Sequence, residues 1–190
     1  MEDNYIAFED STLIAQGTQL EVALKIKKRL LKDEGIMILI FNERTGKQID
    51  LNLRGSTADI QKRFTPKNEK EEDDLPKVGR PKLGVVSKEI SLLPRHWEWL
   101  ASQPTSASVT LRRLVDESQK RNKDVDAIRL SQNATYCFMS TMVGDLVGYE
   151  EALRALYARE EKTFNNYLTA WPKDIREQIK KFASGVFHRK

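Results

Sequence analysis

Cysteine and histidine are the scarcest chemistry here: 190 residues hold one cysteine, Cys137, and two histidines, His96 and His188. One cysteine excludes an intramolecular disulfide, and without companions at ligand spacing it excludes a cysteine-cluster zinc site. Cys137 stands among Tyr136, Phe138 and Met139, the setting of a small buried hydrophobe. His96 reads as a surface or phosphate-adjacent side chain. No nucleophile elbow, paired-carboxylate motif or phosphate loop is present; Gly46 and Gly55 are turn glycines, with no strand-to-helix glycine run followed by Lys-Ser or Lys-Thr. No catalytic residue, metal ligand or cofactor is therefore expected, and the chain reads as a non-enzyme. No apolar run approaches the roughly 20 residues that span a bilayer, and no charged and apolar leader opens the sequence. The expectation is a cytoplasmic protein with no membrane contact.

Hydrophobic residues make up 39% of the chain, enough for a core in one ordinary domain or two small ones. The net charge of +4 is mild, but it is unevenly spread. Between Pro76 and Asp124 ten Lys or Arg stand against five acids, so this stretch carries the excess.

Strand signals come first along the chain. Tyr5 to Phe8 and Leu13 to Ala15 flank a Glu9-Asp10-Ser11 turn, and Thr18 can cap a helix to about Asp33 with Leu20, Ala23, Leu24, Lys27, Leu30 and Leu31 on its inner face. Ile36 to Phe41 reads as a central strand, Gln48 to Leu53 alternates as its neighbour, and Ser56 to Phe64 reads as a short helix. Residues 1–64 thus form a β-β-α-β-β-α module. Residues 65–82, opening with TPKNEKEEDDLP, are a charged linker and basic arm.

Residues 83–121 carry the most distinctive pattern. Val86, Ile90 and Leu92 alternate with Ser87, Glu89 and Ser91, the period-two signature of a half-buried strand. Lys88 interrupts it, and a bulge or a one-residue shift would turn that side chain outward. Pro94 suits the first turn of a helix whose face would be Leu93, Trp97, Leu100 and Ala101, with Trp97 in the core and Trp99 directed to a second contact. Gln103-Pro104 stops it. Ser106 or Ser108 can cap a second helix with Leu111, Leu114, Val115 and Ser118 on one face, ending near Asn122-Lys123-Asp124.

Beyond that, residues 125–190 read as helical throughout: Ala127 to Met142, Tyr149 to Ala158, Glu160 to Ala170, and a last helix from Pro172 to about Ser184. The stripe Ala127, Leu130, Ala134, Cys137, Phe138 and Met142 is the expected buried face of the first. The fold class is α+β.

The order strand, helix, turn, helix over residues 79–119 resembles the ribbon-helix-helix DNA-binding proteins. In that family a strand from each subunit pairs into an antiparallel ribbon that enters the major groove, and the helices interlock into a homodimer. The resemblance implies double-stranded DNA as partner and transcription regulation as role. Ser87, Glu89 and Ser91 would be the base-reading face, and Ser106 and Ser108 would hold phosphate at a helix start. Arg80, Lys82, Lys88, Arg112 and Arg113 would add backbone contacts. Gly79-Arg80-Pro81-Lys82 also resembles the Gly-Arg-Pro core of an AT-hook, an arm that lies in the minor groove. The alternative is a non-catalytic interaction protein using the same segment only to dimerise.

A second resemblance is broader. GRPKLGVVSKEISLLPRHWEWLASQP, with TGKQIDLNLRGS before it and FMSTMVGDLVGYEEALRALYA after it, is similar to an uncharacterised bacterial family, domain of unknown function family 2239. That resemblance implies a bacterial protein and transfers no activity.

Overall fold

A computed structural model describes residues 3–32, 35–65, 84 and 86–187. The chain is α+β, and the described residues form two compact units. The first joins residues 1–66 to residues 124–190, and the second spans residues 67–123.

In the first unit β1 (Tyr5–Glu9) and β2 (Thr12–Gly17) form the expected hairpin, turned by Asp10 at φ 51°. A left-handed residue in so short a turn matches the twist of the flanking strands, and aspartate tolerates that conformation. β3 (Ile38–Asn42) lies on the other side of β1, and β4 (Gln48–Ile49) pairs with β3, giving an antiparallel sheet of order β2-β1-β3-β4. β4 is two residues long although alternation predicts a strand to Leu53. Only Ile49 and Gln48 find partners, opposite Ile40 and Phe41.

Helix α1 (Gln19–Leu30) opens at the expected cap. The backbone N–H of Thr18 donates to Glu21 Oε2 at 2.8 Å while the Glu21 N–H donates to the Thr18 hydroxyl at 3.4 Å. The Thr18 backbone N–H, and then its hydroxyl, hold the exposed Glu21 carboxyl below the usual carboxylate range. α2 (Thr57–Phe64) repeats the device with Ser56 and Asp59, whose carboxyl is lowered by the Ser56 hydroxyl and then its N–H. The inner face of α1 is Val22, Ala23 and Ile26 with Leu30 packed beside them; Ala23 and Leu30 are expected positions, whereas Val22 and Ile26 are buried in addition and Leu31 is exposed. The stripe is rotated because α1 packs on the sheet through the cluster of Ala7, Ala15 and Ile40.

The opposite sheet face carries Ile6, Phe8 and Phe41, and these pack against the C-terminal helices. Phe138 is the hub, with ring centroids 5.5 Å from Phe8, 4.9 Å from Phe41 and 5.3 Å from Phe182. The helices there are the C-terminal part of α4 (Ala107–Met142), then α5 (Tyr149–Ala158), α6 (Glu161–Leu168) and α7 (Lys173–Phe187). So the N-terminal module and the C-terminal helices, read separately in sequence, share one core. In its C-terminal part α4 buries Ile128, Ala134, Thr135, Phe138 and Met139; Ala134 and Phe138 are expected positions and Met142 packs against the core, whereas Leu130 is exposed and Ile128 and Met139 are buried in addition. Asp174 Oδ2 of α7 accepts the Leu13 N–H of β2 at 3.0 Å, a further tie between hairpin and helices.

Two helices expected at 106–121 and 127–142 are one. α4 runs unbroken through Asn122, Lys123 and Asp124. Its 36 residues contain no glycine or proline, and polar residues alone do not end a helix.

Candidate nucleic-acid interface

The second unit holds the residues singled out for DNA. α3 (Pro94–Ala101) begins with the proline in its first turn as expected, and the Leu93 carbonyl accepts the N–H groups of His96 and Trp97 at 2.8 and 3.3 Å. Ser102 closes it. Ser106 precedes α4, and its carbonyl accepts from Val109 and Thr110, both at 3.0 Å, so Ser106 takes the capping position and Ser108 falls inside the first turn. The Thr110 side chain is buried and its hydroxyl lies 2.9 Å from that of Thr105. This pair ties the turn to the helix start, and no periodicity announces it.

Ser87, Lys88, Glu89 and Ser91 are all exposed, on a stretch from 86 to 93 that forms no strand within the chain. The expected strand is thus corrected for the single chain. The physical reason is that a strand is defined by its ladder, and the described sheet lies wholly within residues 5–49. Trp97, expected in the core, is 45% exposed and Trp99 is 48% exposed; of α3 only Leu100 is buried. Arg112 Nε donates to the Ser108 carbonyl at 3.1 Å, and Arg113 lies 3.8 Å from Glu117. Both arginines are held along their own helix. Arg80 and Lys82, with the whole AT-hook-like tetrapeptide, lie outside the described residues.

Burial in this unit is sparse. Among its described residues only Leu100 and Thr110 are buried, whereas Val86, Ile90, Leu93, Trp97, Trp99, Val109, Leu114 and Val115 are exposed. From 86 to 123 seven Lys or Arg stand against four acids. Along α4, Asp116, Gln119, Lys120 and Lys123 line a shallow depression of about 420 Å³ with mixed charge. The stretch thus combines many exposed apolar side chains with an excess of positive charge. Hydroxyls cluster where a helix begins.

Among the described residues no group of three or more His, Cys, Asp or Glu side chains is placed to hold a metal ion, and no helix is long and apolar enough to cross a membrane. Cys137 is a free thiol, half-buried on α4. No curated protein and no solved structure matches the chain. Residues 4–183 match the model of a family described as "Uncharacterized protein conserved in bacteria (DUF2239)". That span takes in the sheet, all seven described helices but the end of α7, and residues 67–123, so the chain belongs to the bacterial family DUF2239.

Proposed function

We propose that this protein binds double-stranded DNA as a homodimer and acts as a transcriptional regulator, with residues 86–121 supplying both the subunit contact and the DNA contact. One observation carries the reading. A stretch of extended segment, α3 and the start of α4 that buries only Leu100 and Thr110, and forms no strand by itself, leaves eight apolar side chains exposed, next to a net positive charge. Their exposed portions amount to roughly 800 Å², about what each partner brings to a standard protein interface. That many exposed large apolar side chains on one small unit favours an association role. The dimer would place two copies of Ser87, Glu89 and Ser91 and two starts of α4 around one axis, which suits a two-fold DNA site. Glu89 would accept from cytosine N4, while Arg112 and Arg113 would meet phosphates with Ser106 and Ser108. Arg80 and Lys82 would reach along the backbone or into the minor groove.

A second reading draws on a different observation. Arg112 and Arg113 are already engaged by Ser108 and Glu117, which favours a non-catalytic interaction protein that uses the segment only to dimerise.

Binding to genomic DNA fragments across a salt series separates the two. On the DNA reading, log affinity falls linearly with log salt, and Arg80→Ala/Lys82→Ala makes the slope shallower by about 0.9 for each phosphate that is no longer neutralised. Ser106→Ala/Ser108→Ala weakens binding on all fragments alike. A dimer that binds no DNA even at low salt overturns this reading and leaves the interaction role.

A further inference from the structure

We infer that the two copies of residues 88–92 pair antiparallel about a two-fold axis through Ile90, with Ile90 facing Ile90 of the second copy. The inference rests on the dimer proposed above and supplies its register. Residues 86–91 are exposed, residues 86–92 stand in no described ladder, and apolar and polar side chains alternate along them with Lys88 as the one exception. Self-pairing by a two-fold normal to the ribbon keeps each residue on the same face in both copies. Only registers with the axis through a residue are then available, and those centred from Lys88 to Ser91, next to the start of α3, can be compared by what each sets face to face.

An axis through Lys88 sets Lys88 against its own copy in the middle of the apolar face. An axis through Glu89 does the same to two carboxylates. Directly opposed like charges are destabilising, so both registers are disfavoured. An axis through Ser91 extends the ladder to Leu93. The carbonyl of Leu93 is already committed to His96 and Trp97 as α3 begins, and Glu89 would then face an apolar Leu93.

The axis through Ile90 avoids every one of these conflicts. It centres the ribbon on an apolar pair, sets each Glu89 against a Ser91 hydroxyl that can donate to it, and moves each Lys88 to a ribbon end opposite Leu92. There the lysine stem lies along the apolar face while its ammonium reaches solvent. Lys88 thus ceases to be an interruption: a lysine at that position suits a register in which it stands at the end. The helices start just beyond the ribbon, at Pro94.

Disulfide trapping tests the register on the full chain, with Cys137→Ser as background. Residues facing across an antiparallel pair have Cα atoms about 4.5–5.5 Å apart, inside the roughly 4.4–6.8 Å that a disulfide spans. Two residues of offset put the Cα atoms about 8 Å apart, which is too far. Ile90→Cys should therefore give an oxidised band at twice the chain's mass, and Lys88→Cys, Glu89→Cys and Ser91→Cys singly should not. Because Ile90→Cys removes the central apolar side chain, the double variant Glu89→Cys/Ser91→Cys supplies an independent check: it retains Ile90 and should crosslink where neither single variant does. Sedimentation of the unsubstituted protein runs in parallel. A monomer at all concentrations overturns the dimer itself. A dimer that crosslinks singly at 88, 89 or 91, or at none of the sites, overturns this register and leaves the dimer standing.

Discussion

Replacing Gly46 with alanine probes the joint between the N-terminal sheet and α4. Gly46 has φ +65° in the turn between β3 and β4, and a Cβ built there would sit 2.8 Å from the carbonyl carbon of Ala134 and closer still to its oxygen. Two costs follow. The left-handed backbone alone costs a non-glycine residue about 1–2 kcal/mol. The overlap is with helix backbone, which cannot swing aside as a side chain tip would, so turn and helix must separate, at an overpacking cost of about 1–3 kcal/mol. Gly46→Ala should therefore lose about 2–5 kcal/mol, a large share of the roughly 5–15 kcal/mol that keeps a domain folded. In a chain of this size each kcal/mol moves the melting temperature by about 2–4 °C. Gly84→Ala is the matched control. Its φ is +64°, but nothing lies within 4 Å of its would-be Cβ, so its cost should stay below about 2 kcal/mol. Urea unfolding followed by far-ultraviolet circular dichroism compares the two. Equal losses, or a Gly46→Ala midpoint unchanged from the parent, would refute the close approach of the turn to α4 and with it the shared core.

Three further outcomes are expected. Gln178 is buried in α7 and among the described residues neither its Nε2 nor its Oε1 has a partner, so Gln178→Met should raise stability by about 1–3 kcal/mol; a loss in the same urea assay would reveal a partner for the amide. The Glu21 and Asp59 carboxyls are held below their ordinary values by their caps. Their stabilisation is complete above the unfolded-state value and drains as pH falls through the lower folded value. Stability should accordingly decline below the usual carboxylate range, and Glu21→Gln should flatten that decline; an unchanged acid limb in thermal melts would contradict the cap's role. If α4 is continuous, Asn122→Pro removes an interior helix bond and should cost about 3 kcal/mol with loss of helical ellipticity, whereas a loop at 122–124 would tolerate it.

Local chemistry was legible along the sequence wherever its cause lies within a few residues. Thr18 and Ser56 are caps because their hydroxyls meet N–H groups three residues on, and Pro94 opens α3 because its missing N–H has no partner to lose. Alternation in Tyr5–Glu9 already separates Ile6 and Phe8 from Ala7. The candidate interface was legible in the same way as to content, through the charge excess, the serines and the alternation from 86 to 92.

What the tertiary structure alone decided is which of several apolar stripes is covered, and by what. On α1 the covered face is Val22, Ala23 and Ile26, because the sheet lies there; on α4 it is Ile128 and Met139, because Phe138 must meet Phe8, Phe41 and Phe182. A helix of period 3.6 presents neighbouring stripes only about 100° apart, and a mixed sequence does not choose between them until a partner surface arrives. For the same reason Trp97 is amphipathic-face material in sequence and half-exposed in the chain. Local pattern determines that a residue is suited to burial. Whether it is buried depends on contacts from segments more than a hundred residues away, such as β2 with α7, or from a second chain.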